Sequence, residues 1–148
     1  MAVSGTRTDV TPGDLAEIHQ LYGRQSHLID GGRALAWAQT FTVDGEFVSP
    51  SYSAPVVGEK ALVEFAQAFA KNAAAAGEAH RHVLTNLAVD RVADDELVVG
   101  GYLQIVATRH GGESRLLRMT TITDHVVRVG GAWRIARRVV RRDDQPAS

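Results

Sequence analysis

The sequence lacks cysteine entirely across its 148 residues. Disulfide bridges, thiolate nucleophiles and cysteine-bound metal sites are therefore excluded. It also lacks a long hydrophobic run, since no window approaches the ~18 consecutive apolar residues of a membrane span. Residues 1–12 are polar and small, without the basic start and apolar stretch of a secretory signal. These absences lead us to expect a cytoplasmic protein that does not associate with membranes.

Excess charge of one sign is also lacking. The 16 basic and 17 acidic side chains give a formal net charge of −1, so no global field would attract nucleic acid or an anionic membrane. One basic cluster near the end of the chain is interpreted as a solvated strand face beside an acidic tail. Its members are Arg134, Arg137, Arg138, Arg141 and Arg142.

Length and composition indicate one globular domain. A chain of 148 residues with 45% hydrophobic and 22% charged residues falls within the usual range of about 100–200 residues for one domain, and its composition is typical of globular proteins. We expect this domain to span residues 13–142. Residues 1–12 and 143–148 are predicted to be a flexible N-terminus and a flexible tail.

The first half of the chain carries three helical patterns. Apolar spacings of three and four residues begin after Thr11 and end at Gly31, where a glycine suits a helix C-terminus. A short second helix is predicted for residues 33–39, and a third for residues 59–76. Between them, residues 46–50 are interpreted as a brief strand.

Downstream of the helices the pattern changes to strands. Four segments rich in Val, Ile, Leu and Thr are separated by turn residues, and they cover residues 80–91, 97–109, 113–129 and 132–142. Strands of this length normally curl, and a curled sheet can close over helices to form a cone with an internal cavity. The predicted fold class is therefore α+β, with three N-terminal helices before a long antiparallel meander.

Four short motifs give this order a family resemblance: Asp-Gly-Gly, Phe-Thr-x-Asp-Gly, Arg-His-x-x-Thr-Asn and Gly-Gly-x-Trp-Arg-Ile. Together they resemble the SnoaL-like group of the NTF2-like superfamily, over about residues 14–140. The residues that carry the resemblance are Tyr22, His27, Asp30, Phe41, Asp44, Gly58, Arg81, His82, Asn86, Asp124, Gly131, Trp133, Arg134 and Ile135.

The resemblance implies a strongly curved, mixed-edge sheet around three helices, a deep pocket and a homodimer. Functions in the superfamily include those of polyketide cyclases, ketosteroid isomerase, scytalone dehydratase, limonene epoxide hydrolase, dioxygenase small subunits and noncatalytic transport factors. The scytalone dehydratase arrangement fits best, since Asp30 and His82 match its aspartate and histidine. Its second histidine falls on Arg109, one place before His110, and the ketosteroid isomerase pattern fits less well.

Asp30 and His82 are the candidate catalytic residues. Tyr22, Ser26 and Asp30 are spaced at i, i+4 and i+8, so they share one face of the first helix, with His27 close to that stripe. A carboxylate beside an imidazole favours the imidazolium and orients the ring, which allows proton donation and acceptance near neutral pH. The structural alternatives are a turn-capping Asp30 and a core histidine.

Strand alternation places His80, His82, Leu84 and Asn86 on one face of the strand. Two histidines on one face, with Asp30 as a third ligand, could also hold zinc or iron. No other part of the sequence completes such a ligand set, so we predict no metal site. With no glycine-rich phosphate loop either, we predict no cofactor.

The binding residues expected around this pair combine apolar side chains with a few polar groups, which suits a hydrophobic, oxygenated small molecule. They are Tyr22, His27, Trp37, Tyr52, Phe65, Phe69, Asn86, Leu103, Ile105, Arg109, Leu117 and Met119. The sequence thus favours an enzyme that dehydrates, cyclises or isomerises a polyketide-like or polycyclic substrate. A noncatalytic binding or assembly module and a water-adding hydrolase remain alternatives.

Overall fold

The computed structural model describes residues 9–145, so residues 1–8 and 146–148 of the predicted flexible ends lie outside it. The helices are α1 (Pro12–Asp30), α2 (Ala34–Ala38) and α3 (Glu59–Ala75). The strands are β1 (Phe41–Val48), β2 (Val56–Val57), β3 (Glu78–Ala93), β4 (Glu96–Arg109), β5 (Ser114–Val129) and β6 (Ala132–Arg142). In this part of the chain no helix is both long and apolar enough to cross a membrane.

The six strands form one sheet in the order β2-β1-β6-β5-β4-β3. All neighbours are antiparallel except β1 and β6, which run parallel. The helices pack against this curved, mixed sheet, which confirms the predicted α+β class. β1 begins five residues before the predicted strand 46–50, and β2 was not predicted.

Gly45 explains the irregular start of β1. The pairing of β1 with β6 shifts register between Phe41 and Glu46. A Cβ atom on Gly45 would lie 2.8 Å from the Phe41 Cβ and 3.2 Å from the Ile135 carbonyl oxygen. Glycine therefore permits the close approach that this bulge requires.

α1 begins with a capping box. The Thr11 hydroxyl accepts from the Asp14 N–H at 3.0 Å, and the Asp14 carboxylate accepts from the Thr11 N–H at 3.1 Å. Pro12 occupies the first turn, where its missing N–H costs no hydrogen bond. The helix buries Ile18 and Ile29, and its last residue is Asp30.

Asp14 also joins α1 to the far end of the sheet. Its side chain forms an ion pair with Arg91 on β3 and lies 3.5 Å from Arg128 on β5. Burial alone would raise the pKa of the Asp14 carboxyl. The hydrogen bonds from Thr11 and the positive charge of Arg91 outweigh that effect, so the pKa lies below its ordinary value of 3.8.

β3 changes the face it presents to the core at Asn86. This residue has a φ of 55°, in the left-handed region, and the β3–β4 register shifts between Thr85 and Ala88. Asparagine tolerates this conformation better than most residues. As a result Leu84 packs on the core before the bulge, Leu87 packs on it after the bulge, and Asn86 is exposed.

We expect Asp14→Asn to lower the free energy of unfolding by about 1–3 kcal/mol at pH 7, because charged hydrogen bonds at the helix start are lost. A carboxyl whose pKa is depressed on folding stabilises the protein above its unfolded pKa of 3.8. The difference between the two proteins should therefore shrink as pH falls below that value. Urea denaturation at pH 7 and pH 3 measures both effects.

Asp90→Asn serves as the matched control, since Asp90 is exposed on β3. It should change stability by less than about 0.5 kcal/mol. An Asp14→Asn protein as stable as this control at pH 7 would contradict the assigned role.

Candidate active site

The carboxylate of Asp30 and the imidazole of His82 are in direct contact. Oδ1 of Asp30 lies 2.7 Å from Nδ1 of His82. The backbone N–H of His82 also donates to the same carboxylate, at 3.1 Å to Oδ2 and 3.2 Å to Oδ1. Both side chains are largely buried, with exposed fractions of 12% for His82 and 8% for Asp30. One carboxylate thus orients both the ring and the backbone of His82.

This contact determines which ring nitrogen is available for chemistry. An ionised carboxylate only accepts hydrogen bonds, so the Nδ1 atom facing it carries the proton. In the neutral ring Nε2 is then the basic nitrogen, and Asp30 stabilises the imidazolium that forms when Nε2 takes a proton. Phe69 packs against the ring with a centroid separation of 4.8 Å, which restricts its rotation.

His82 lines a cavity that is partly open to solvent. Phe65 lies at the centre of an aromatic cluster in its wall, 5.7 Å from Trp37, 4.8 Å from Phe47 and 5.2 Å from Tyr52 between ring centroids. Of the predicted binding residues, those that line the cavity are Trp37, Tyr52, Phe65, Phe69, Leu103 and Ile105. The wall is therefore mostly apolar around His82.

The other predicted binding residues lie outside the cavity wall: Tyr22, His27, Asn86, Arg109, Leu117 and Met119. His27 is on the exposed side of α1, and Asn86 is exposed at the β3 bulge. Arg109 is exposed at the last position of β4. These three side chains therefore do not line the cavity beside His82.

Leu117 and Met119 are displaced by a second bulge. Ile105 pairs with Arg118, but the next residue, Val106, pairs with Leu116, so Leu117 is the extra residue in β5. A one-residue shift moves every side chain to the other face of a strand. Arg118 and Thr120 therefore line the cavity in the places predicted for Leu117 and Met119.

Tyr22 belongs to a buried polar network at the core side of the cavity. Its hydroxyl donates to Oδ2 of Asp124. Arg138 donates to the same carboxylate through Nε at 2.9 Å and Nη2 at 2.7 Å. Asp124 is fully buried, and only 3% of Arg138 is exposed. Both oxygens of this deep carboxylate are thus satisfied.

The burial of Arg138 corrects the interpretation of the basic cluster as a solvated strand face. The β5–β6 register shifts between the pairs Val126–Ile135 and His125–Arg137. After this shift the buried positions of β6 change from Trp133 and Ile135 to Arg138 and Val140. Arg137 and Arg141 remain exposed, as the sequence interpretation required.

The network holds opposite charges inside the protein. Burial and the negative charge of Asp124 raise the pKa of Tyr22 well above its ordinary value, so the hydroxyl remains a donor. Burial alone would lower the pKa of Arg138, but the charge and hydrogen bonds of Asp124 reverse this and raise it. Arg138 and Asp124 thus form a charged pair with no net charge.

Further polar side chains that the sequence reasoning did not assign to the site also line the cavity, among them Gln25, Ser49, Ser51, Arg118, Thr120 and Arg138. Arg118 donates to the Ser51 hydroxyl at 2.9 Å. The Thr120 hydroxyl donates to the Leu103 carbonyl at 2.7 Å. In the sequence, the polar side chains at every fourth position of α1, namely Tyr22, Ser26 and Asp30, indicate that this helix presents a polar stripe.

His80 forms a separate pair outside the cavity. Its Nε2 lies 3.0 Å from Oε1 of Glu78. The other oxygen of this carboxylate, Oε2, binds Arg115. The hydrogen bond from Arg115, and to a smaller extent the one from His80, lowers the pKa of Glu78 to about 2. Within residues 9–145 no three His, Cys, Asp or Glu side chains are arranged to hold a metal ion.

The profile of the SnoaL-like domain matches residues 13–139, nearly the whole described chain. No curated protein matches the sequence.

Solved structures match over almost the full length. Aln2 from a Streptomyces species superposes with a TM-score of 0.83 and 28% identity, covering 90% of this chain and 94% of its own. A protein from Catenulispora acidiphila in complex with S-DNPA gives a TM-score of 0.80 and 29% identity, covering 90% and 96%. An NTF2-like protein with a cystatin-like fold from Novosphingobium aromaticivorans gives a TM-score of 0.79 and 22% identity, and the match covers 93% of each chain. These matches confirm the resemblance identified in the sequence.

Replacing Asp124 by Asn should destabilise the fold by about 3–5 kcal/mol, because Arg138 would remain as a buried charge without a counterion. Urea denaturation at pH 7 measures the change. Arg141→Gln on the same strand as Arg138 is the control, since Arg141 is exposed, and it should stay within about 0.5 kcal/mol of the wild type. Equal stability of the two variants would show that the buried Asp124–Arg138 pair does not contribute to the free energy of unfolding.

Proposed function

The chain belongs to the SnoaL-like domain family, and from this membership and the Asp30–His82 pair we propose that it is an enzyme that moves protons on a hydrophobic small molecule. Its fold is related to that of polyketide cyclases and scytalone dehydratase. The substrate class is a polyketide-like or polycyclic compound, and the reaction is a dehydration, cyclisation or isomerisation. The observation that carries the proposal is the 2.7 Å contact that orients His82 in the cavity wall.

A dehydration illustrates the proposed proton path. Nε2 of His82 removes the proton from the carbon next to a substrate carbonyl, and the electrons of that C–H bond form an enolate. When the carbon–carbon double bond forms, the bond to the β-hydroxyl breaks, and the imidazolium returns its proton to the leaving oxygen as water. Asp30 stabilises the imidazolium between the two steps. Cyclisation and isomerisation begin with the same proton removal.

The cavity wall supports a hydrophobic substrate. Trp37, Phe65 and Phe69 line the same cavity as the imidazole, and Phe69 packs directly against it. Such walls favour flat apolar ligands held by few polar groups. The Catenulispora acidiphila relative was solved in complex with S-DNPA. This expectation can therefore be tested with S-DNPA as the small molecule. A homodimer and a cytoplasmic location are further parts of the proposal.

The geometry favours His82 over Asp30 as the base. Both carboxylate oxygens accept hydrogen bonds from His82, one from the ring and one from the backbone. A water molecule at Asp30 would compete with these bonds. Water addition activated by Asp30 is therefore the weaker alternative. A noncatalytic binding protein is the outcome that ligand binding without any turnover by the wild type would support.

Ligand binding is tested first with S-DNPA as the probe. We expect the melting temperature of the wild type to rise with S-DNPA concentration, because a ligand that binds only the folded state adds about 2.7 kcal/mol at 100 times its Kd. The rise should be lost in Phe65→Ala, which removes the centre of the aromatic cluster. Leu116→Ala is the control, since Leu116 is 56% exposed, and it should retain the full shift.

Turnover is tested with a panel of hydroxylated polycyclic ketones, in which loss of water extends the conjugated system and changes the absorbance. Asp30→Asn and His82→Gln should each lower kcat by about 10²–10⁴-fold, the usual contribution of a positioned proton-transfer group. Both variants should keep their near-native circular dichroism.

His27→Gln is the matched control, because His27 lies on α1 close to Asp30 but is exposed. Its kcat should equal that of the wild type. Wild-type turnover in both Asp30→Asn and His82→Gln would sink the catalytic assignment.

A further inference from the structure

Gln25 is a buried polar side chain of the cavity wall that the proposed proton path does not use. It lies on α1, is 1% exposed and lines the cavity. Its Oε1 atom is buried and has no hydrogen-bond partner among the described residues. Leaving such an acceptor unpaired is energetically unfavourable. The cavity that it lines is where a bound molecule could supply the missing donor.

The orientation of the Gln25 amide follows from its neighbour. The Thr40 hydroxyl donates to the Trp37 carbonyl at 2.6 Å, which commits its single hydrogen. Thr40 can therefore only accept from Gln25, and the contact at 2.7 Å must be made by the Nε2 amide group. A flipped amide would place two acceptors against each other. Oε1 is thus the unpaired atom.

Arg138 supplies a donor to the same end of the cavity. Its side chain lines the cavity, while Asp124 binds Nε and Nη2, so Nη1 is the guanidinium nitrogen left for a ligand. Tyr22, which shares Asp124 with Arg138, lies three residues before Gln25 and therefore on the same face of α1. The network thus places Gln25 and Arg138 at the same end of the cavity.

We propose that Gln25 and Arg138 form a subsite for a ligand hydroxyl group, in which Gln25 Oε1 accepts the hydroxyl hydrogen and Arg138 donates to the hydroxyl oxygen. A hydroxyl is both donor and acceptor, whereas a carbonyl, an ether or a carboxylate offers acceptors alone and leaves Gln25 unpaired. Because Asp124 already neutralises Arg138, the subsite favours a neutral group over an anion. The class of ligand, a hydrophobic ring system, is taken from the proposed function, and in this respect the inference rests on that proposal.

The subsite also sets the length of the ligand. Gln25 precedes Asp30 by five residues, which corresponds to about 7.5 Å along the helix axis. A bicyclic or larger ring system spans this distance with the hydroxyl at one end and the reacting carbon near His82 at the other. The substrate class is thus narrowed to phenols and ring alcohols whose reacting carbon lies one or two rings from the anchored hydroxyl.

The test compares 2-naphthol with 2-methoxynaphthalene, which keeps the oxygen acceptor but has no hydrogen to donate. In the wild type we expect 2-naphthol to bind about 10-fold more tightly, as measured by calorimetry, because one buried hydrogen bond distinguishes the two probes. In Gln25→Met, which has nearly the same volume and no acceptor of similar strength, the ratio of the two Kd values should fall towards one.

Gln25→Met should also fold at least as stably as the wild type, because it removes the unpaired oxygen while Thr40 keeps its bond to Trp37. Ser49→Ala, another polar position of the cavity wall, is the control and should keep the 10-fold preference. Equal binding of the two probes to the wild type, no binding of 2-naphthol, or a preference unchanged in Gln25→Met overturns the inference. Equal binding is also the outcome if an ordered water satisfies Gln25.

These measurements separate the inference from the proposed function. Binding of the two probes involves no turnover, so a lost preference in Gln25→Met supports the subsite even where Asp30→Asn leaves catalysis unchanged. Conversely, a 10²-fold loss of turnover in Asp30→Asn with no hydroxyl preference in the wild type leaves the acid/base proposal standing and rejects the subsite.

Discussion

The contact of the Asp30 carboxylate with His82 is the constraint on which the site and the packing of α1 both depend. The carboxylate is the last helical side chain of α1, and it accepts from both the ring and the backbone of β3. An ionised group this deeply buried is costly without partners. The helix end and the strand are therefore held in one relative position. The same bonds that satisfy the carboxylate also aim the imidazole at the cavity.

A second carboxylate, Asp124, plays a comparable part deeper in the protein. It unites α1, β5 and β6 through Tyr22 and Arg138, so polar contacts tie the helix to the sheet here as well as at Asp14 and Asp30. This arrangement gives the cavity two polar zones of different character. The Asp30 zone has a titratable imidazole, whereas the Asp124 zone offers fixed hydrogen-bond donors. In the proposed function, the Asp124 zone would orient a ligand and the Asp30 zone would transform it.

Much of the fold could be predicted from local sequence patterns, because helix periodicity, caps and strand-forming runs are encoded within each segment. The bounds of α1 and β6 follow in this way, and the Asp30 and His82 positions follow from a helix end and a strand pattern. The bulges at Asn86 and Leu117 and the shift near Arg137 could not be predicted, since register depends on the partner strand. Arg138 was misjudged because its counterion, Asp124, lies on the neighbouring strand, and the register shift that pairs the two residues is not encoded in either segment alone. Only the residue type at Asn86 was a weak indication of its bulge, because asparagine is among the residues that accept a positive φ.

The parallel pairing of β1 with β6 has a consequence for how the chain reaches this structure. Phe41 pairs with Ile135, so two neighbouring strands of the sheet come from segments far apart in the sequence. Contacts so distant along the chain close late and slow the search for the native topology. During synthesis β1 has only the two residues of β2 as a neighbouring strand in the described sheet until β6 leaves the ribosome. The helices and the β3–β5 meander can form earlier, and the cavity becomes enclosed only when the C-terminal strand arrives.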